Sequence, residues 1–493
     1  VLTRTRLMVY LQGTNGEWTT HSYALTEPGC TGLQAADVDG DGLVDLFTTS
    51  ADGTAILVRL QSPDGTFSRE WRIGIQAAQS IVKPVKQPKD VCLAWLQKNT
   101  GMVELAKLQP TNTPDPSHSA TLRQGIPPSD SKNGTSIYAD ITGDGIADVI
   151  IADPKQARVW IFAGRADGTF DEGKEYPALS GIESMSVADV DGDRKPELVL
   201  LSPLEKSIAV ARWDGARLTY PETILQSEDV IAAMTTGQLG VQTAADAIIC
   251  IKESKPKATL LTLRWNAETK TFASTTTELP TAPSKISAIR VLDIDQDKLG
   301  DIALFSPLAP MQLLLSRADE KQPFLKVEGL PDSLTQKLSP GALSQADISG
   351  DGKPEIIIAK DQLARAFRVD SLGKVHIVEQ FNAPNPNAQL SAVLVPPSTG
   401  KPSSIMLVDT AARQINELKS GTDGVYRQAS TRKLSNLASE EIRYVSNGKD
   451  SSLLLLGKQT FEIVPLTGRT MNLTTRSSFK SELRDARADD FVA

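Results

Sequence analysis

Residues 36–49, "ADVDGDGLVDLFTT", place carboxylates at Asp37, Asp39, Asp41 and Asp45, put Gly42 among them, and run directly into an apolar stretch. Like charges packed this closely repel one another, and no basic side chain stands among them to offset the repulsion. A chain that keeps such a cluster needs a cation for it, and the spacing offers a place for one. In D-x-D-x-D-G-x-x-D the side chains at positions 1, 3, 5 and 9 and the backbone carbonyl at 7 can converge on a single ion, while glycine at 6 permits the bend. Hard oxygen donors in this number favour Ca²⁺; Mg²⁺ demands a stricter octahedron, and no soft ligand is offered to zinc. The leading ligand positions match an EF-hand loop, but an EF-hand needs flanking helices and a Glu at position 12. Here the flanks read as strands, and position 12 is apolar or small.

The pattern returns as "DITGDGIAD" (140–148), "DVDGDRKPE" (189–197), "DIDQDKLGD" (293–301) and "DISGDGKPE" (347–355). The first residues of successive copies lie 103, 49, 104 and 54 positions apart, a repeat of about fifty residues with some copies eroded. Eroded copies fall where that period places them: "VKPVKQPKD" (82–90), "TTGQLGVQTAAD" (235–246), "VPPSTGKPS" (395–403) and "NGKDSSLLLL" (447–456). Each unit carries short apolar or alternating runs such as "ADVIIAD" and "ARVWIFAG", separated by Gly, Asp and Pro turns, and none has a helical period. The expected fold is all-β, each unit a four-stranded antiparallel meander. One such sheet cannot cover both of its faces, whereas copies arranged radially cover each other, as in a β-propeller.

With these loops, and with "DGTF" at 64–67 and 167–170, the chain resembles the FG-GAP or VCBS repeat family, whose propeller repeats also occur in integrin α-subunits. The resemblance runs over nearly all of residues 1–493 and implies calcium at up to five hairpin loops between the first and second strands of a blade. Carried over residue by residue, the first loop supplies Asp37, Asp39, Asp41 and Asp45 as side-chain ligands and Leu43 through its carbonyl. The second supplies Asp140, Thr142, Asp144, Ile146 and Asp148, with Thr142 a neutral and weaker donor; the third Asp189, Asp191, Asp193, Lys195 and Glu197. The fourth supplies Asp293, Asp295, Asp297, Leu299 and Asp301, and the fifth Asp347, Ser349, Asp351, Lys353 and Glu355. Arg194 and Lys298 stand where the pattern has glycine, so those two loops are expected to be distorted or weaker. The integrin-type Phe-Gly and Gly-Ala-Pro signatures are absent, so the VCBS branch fits better than the integrin one and integrin-like ligand binding is not implied.

Composition narrows the function. A net charge of −8 without a basic run gives no footprint for nucleic acid, and no apolar run is long enough to span a membrane. Cys30, Cys92 and Cys250 lack C-x-x-C spacing; a Cys30–Cys92 bridge is conceivable, and Cys250 in "AIICIK" reads as a buried strand residue. The histidines, His21, His118 and His376, sit beside no nucleophile motif, and no G-x-S-x-G, P-loop or zinc-protease signature occurs. Trp18 and Trp71, and likewise Trp213 and Trp265, recur at about one repeat, a spacing that suits packing between units more than a sugar site.

The opening residues "VLTRTRLMVYLQGTNGEW" read as the second half of a unit, and "DARADDFVA" at 485–493 resembles the run before an acidic loop, so the natural chain is expected to continue. The stretch 109–134, rich in Pro, Ser and Asn, is a linker-like segment, either a ring boundary or a long surface loop. The expected function is non-enzymatic: a calcium-stabilised propeller, extracellular, cell-surface or periplasmic, acting as an adhesion or interaction scaffold for a protein or glycan partner. A carbohydrate-binding lectin and a propeller-type polysaccharide-active enzyme, or an accessory domain of one, are the competing expectations.

Overall fold

Apolar runs that do not alternate, such as Asp148–Asp153 "DVIIAD" and Glu197–Ser202 "ELVLLS", form strands buried along their whole length. A strand reads this way when both faces of its sheet are covered. The computed structural model describes residues 1–13, 16–75, 78, 82–87, 90–98, 100–114, 120–126, 135–240, 242–253, 258–279, 283–319, 321–434, 441–446, 449–457 and 460–480. Among them, helix is confined to Asp332–Thr335 and a single 3-10 turn, Pro340–Ala342; the rest of the regular structure is antiparallel strand. The chain divides into two compact units, residues 129–430 and residues 1–128 with 431–493.

The first of these contains six four-stranded meanders, here sheets III (136–177), IV (184–226), V (230–278), VI (288–326), VII (343–382) and VIII (390–433), the last ending just past the division. Alternate residues of the inner strands face opposite neighbours. In sheet IV, Leu198 and Leu200 pack with Ile150 and Ile161 of sheet III, while Val199 and Leu201 pack with Ile248 and Cys250 of sheet V. The same handover joins V to VI through Ile249 and Ile302, VI to VII through Phe305 and Ile356, and VII to VIII through Ile357 and Ile405. Each sheet is thus a filling between its neighbours, and apolar burial, at about 25 cal/mol per Å², holds the row together. The fourth strands carry the solvent face: Thr271–Glu278 is mostly exposed, and half of Val375–Asn382 is.

The other unit begins with the hairpin Arg6–Gln12 and Trp18–Ala24. Sheet I (Thr31–Ala36, Asp45–Thr49, Ala55–Arg59, Glu70–Gly74) is a complete meander; sheets II and IX are not. Sheet II takes Lys83–Lys86, Val91–Leu96 and Met102–Thr111 in order, and its fourth strand is the distant Thr470–Lys480. Sheet IX takes Glu441–Ser446, Ser451–Leu456 and Thr460–Pro465, and its fourth strand is Thr121–Gly125, which also pairs with Glu70–Gly74 so that sheets I and IX form one eight-stranded sheet. The expectation that every unit is a self-contained meander is corrected here; the stretch 109–134 contains the end of one strand and the whole of another, and the division between the two units falls within it, after Pro128. The Pro, Ser and Asn of this stretch hide a strand of only five residues, Thr121–Gly125.

Charges pin this junction. Arg123 bonds Glu27 and, at 2.7 Å, Glu462; Arg72 bonds Glu27 at 2.8 Å; Arg59 meets Glu70 at 3.3 Å, and Thr26 also donates to Glu70. All three cysteines are free and buried, so the conceivable Cys30–Cys92 bridge is not formed. Burial, with Glu70 and Glu27 nearby, pushes the Cys30 thiol up to about 12, which leaves it inert.

Candidate cation-binding loops

The five acidic repeat starts fall between the first and second strands of sheets I, III, IV, VI and VII, as does the eroded 395–403 in sheet VIII; the eroded 82–90, 235–246 and 447–456 overlap a first or second strand. Their hydrogen bonding repeats in register. The position-1 carboxylate folds the loop back on itself: Asp37 accepts from Gly40 N (2.7 Å) and Gly42 N (3.0 Å), Asp140 from Gly143 N (2.6 Å) and Gly145 N (2.8 Å), and Asp189 from Gly192 N (2.6 Å) and Arg194 N (2.8 Å). Asp347 does the same with Gly350 N (2.7 Å) and Gly352 N (2.8 Å). Position 5 accepts from the amide of position 7 every time, Asp41 from Leu43, Asp144 from Ile146, Asp193 from Lys195, Asp297 from Leu299 and Asp351 from Lys353, at 2.8–3.0 Å.

The bend at position 6 is left-handed in all five loops, including Arg194 (φ 68°) and Lys298 (φ 71°), where a Cβ costs about 1 kcal/mol relative to glycine. Position 4 is left-handed as well, and in the fourth loop Gln296 (φ 64°) stands where the others have glycine. That departure has a consequence. Asp293 there accepts Lys298 N at 3.1 Å on one oxygen, while its Oδ1 and the Oδ1 of Asp295 are buried with no hydrogen-bond partner.

The position-9 carboxylates are clamps. Asp45 accepts Val38 N and Gln61 N, both at 2.9 Å; Asp148 accepts Ile141 N, Thr142 N and Gly164 N; Asp301 accepts Ile294 N (2.8 Å) and Ser316 N (2.7 Å). Glu197 holds Val190 N at 2.9 Å, and Glu355 holds Ile348 N at 2.8 Å. One buried acid thus ties the loop to its own sheet. Burial dominates their acidity, lifting Asp45 to about 6 and Glu197 and Asp301 to about 7, and raising Asp148, against the pull of these amides. Asp39 and Asp295 are also raised, by burial first and then by Asp41 and Asp297 respectively.

Ligand oxygens converge within 4.8 Å of one another in three sets: Asp37, Asp39 and Asp41; Asp189, Asp191 and Glu197; Asp293, Asp295 and Asp297. Asp45 and Asp301 stand outside their sets as clamps. Together with the orphaned buried oxygens of Asp293 and Asp295, the donor chemistry fits a hard divalent cation. Calcium held there would supply positive charge to the turn, and the chain's own contribution is to hold the oxygens in place through backbone amides.

Arginines that the repeat pattern does not single out reach three of the loops from the ends of third strands. Arg212 meets Asp191 at 3.1 Å, Arg317 meets Asp295 at 3.2 Å, and Arg368 meets Asp351 at 2.9 Å and also Glu355. Each ends an apolar run in the sequence ("IAVAR", "LLLSR", "RAFR"), at differing distances from its loop. In the eroded loop of sheet V an amide does the work: Gln238 donates to Asp246 (2.7 Å) and accepts from Thr243 N (2.8 Å). Loops of successive sheets are joined, as by Asp246 N to Asp189 O (2.7 Å) and Gln296 Nε2 to Pro354 O (3.0 Å).

Outside the loops the histidines remain ordinary. His376 pairs with Asp370 at 3.2 Å on the surface, His21 stacks on Tyr23, and His118 lies outside the described residues, as does 485–493. Trp213 packs edge-on to Tyr176 and Trp265 to Phe272, Trp71 packs against the core shared by sheets I and II, and Trp18 is exposed. No helix among the described residues is long and apolar enough to cross a membrane.

Residues 140–200, which hold the second and third acidic loops, match the family model of the FG-GAP-like repeat. None of the curated proteins compared matches the sequence. Among solved structures, the chain is similar to the crystal structure of BBS1N in complex with ARL6DN, soaked with lead, at 14% identity and a TM-score of 0.45, over 70% of this chain and 96% of that one.

Proposed function

We propose that this chain, which carries an FG-GAP-like repeat, is a calcium-stabilised β-propeller scaffold that engages a protein partner and performs no catalysis itself. The stacked meanders are its blades. The observation that carries calcium is the fourth loop, where Asp293 and Asp295 keep buried carboxylate oxygens without a donor. A buried acceptor left unpaired costs about 1–3 kcal/mol, more when charged, and a bound divalent ion removes that cost. Modest sites of this type are saturated by the millimolar calcium outside cells, which favours an extracellular, cell-surface or periplasmic location. Thermal unfolding with and without a chelator tests the reading: calcium should raise the melting temperature, and coincident curves would refute it.

A glycan partner is the second reading, favoured by a cleft of about 670 Å³ between the fourth strands of sheets VII and VIII. Phe381 and Tyr426 meet edge to face there with centroids 5.2 Å apart, Lys401 lies over the Tyr426 ring, and Gln380, Asn382 and Gln428 line the walls. An aromatic face among amides suits a sugar ring. Retention on a glycan array that is lost in Tyr426→Ala would support it; retention unaffected by that substitution would exclude this cleft.

A further inference from the structure

The fifth loop differs from the others in what its carboxylates already hold. Arg368 lies on the strand Leu363–Val369, one place beyond the pair Ile356–Phe367, and so stands across from Glu355. A single nitrogen of its guanidinium, Nη2, lies within hydrogen-bond reach of Ser349 Oγ (3.2 Å), Asp351 Oδ2 (2.9 Å) and Glu355 Oε1, which share its two hydrogens. These are positions 3, 5 and 9 of the loop, three of the four side chains that the pattern assigns to a cation. The fourth, Asp347, is engaged by the amides of Gly350, Asp351 and Gly352.

The other loops set the contrast. Across from position 9 the first loop has Leu60, the second Ala163 and the fourth Leu315, one place beyond the pairs Leu46–Arg59, Val149–Phe162 and Ile302–Leu314. The third loop has an arginine at the same place, since Glu197 pairs with Arg212, but Arg212 turns outward to Asp191 and Glu222. It leaves Asp189, Asp191 and Glu197 converging, as Arg317 leaves Asp293, Asp295 and Asp297. Each of them grips one acid of its loop from the side, whereas Arg368 sits among three oxygens of its own.

We propose that Arg368 is the resident cation of the fifth loop: its Nη2 takes the place of the metal ion, and this loop folds without calcium while the other acidic loops bind it. A guanidinium stays charged at every relevant pH and, being covalently tethered, is not diluted away when calcium falls. Sheet VII then keeps its loop closed whether or not the ion is present. This inference rests on the calcium reading of the other loops.

Counting bound ions by native mass spectrometry in calcium tests it. Arg368→Gln, which keeps length and removes charge, should carry one calcium more than the wild type; an unchanged count would overturn the proposal. Asp351→Asn in the wild-type background guards against misfolding of the first variant: it should leave the count unchanged, and the loss of one ion would overturn the proposal while leaving the calcium reading intact. No ion on either protein would overturn both.

Discussion

At the scale of single residues, the acidic loops separate two jobs that the sequence pattern merges. The pattern treats positions 1, 3, 5 and 9 alike, yet Asp45 and Asp301 spend their oxygens on one backbone amide of the loop and one at the end of the third strand, as buried clamps. Asp301→Ala should therefore cost about 2–4 kcal/mol in urea unfolding even in chelator, because the amides of Ile294 and Ser316 lose their acceptor. The left-handed Lys298 makes the opposite case: Lys298→Gly should stabilise the protein by about 0.5–1 kcal/mol in the same assay. Protonation adds a third test. Asp45, Glu197 and Asp301 titrate at about 6 to 7 in the folded chain, against ordinary values of 3.8 for Asp and 4.5 for Glu. Between those limits the folded state holds protons that the unfolded state has released, so stability in chelator should fall as pH rises from about 4 to 7. Saturating calcium should reduce that fall, and a chelated protein that gains stability over this range would contradict the assignment. The acidic loops were legible because charge at every second residue is a strong local signal. Arg212, Arg317 and Arg368 were not, because they arrive from another strand, and only the pairing of strands brings them to the loop.

At the scale of elements, the repeats announced their sheets through continuous apolar runs, and each acidic repeat start lies between a first and a second strand. The exchanged fourth strands were hidden. Thr121–Gly125 and Thr470–Lys480 pair with partners hundreds of residues away, and nothing in a short window reports a partner at that distance. Charge locks the exchange, since Arg123 lies buried between Glu27 and Glu462. Removing one member of a buried network leaves the others unpaired, at a cost of about 3–5 kcal/mol. Arg123→Met should lower stability by that amount in urea unfolding, and a loss under 1 kcal/mol would mean that the strand pairing alone holds sheet IX to its fourth strand.

At the largest scale, the small sheets of the unit 129–430 share cores with their neighbours face to face, and turns of successive sheets there are joined by hydrogen bonds. On the proposed reading a calcium ion in one loop would brace two sheets; the eroded loop of sheet V uses an amide in its place, Gln238, and the fifth loop, which keeps its acids, holds the Arg368 guanidinium among them. Hydrogen exchange with and without calcium, followed loop by loop, tests this account most directly. Calcium should slow exchange in residues 37–45, 140–148, 189–197 and 293–301 and leave 347–355 and 238–246 as they were. Exchange that calcium leaves untouched in every loop, or slows equally in acidic and eroded loops, would contradict it.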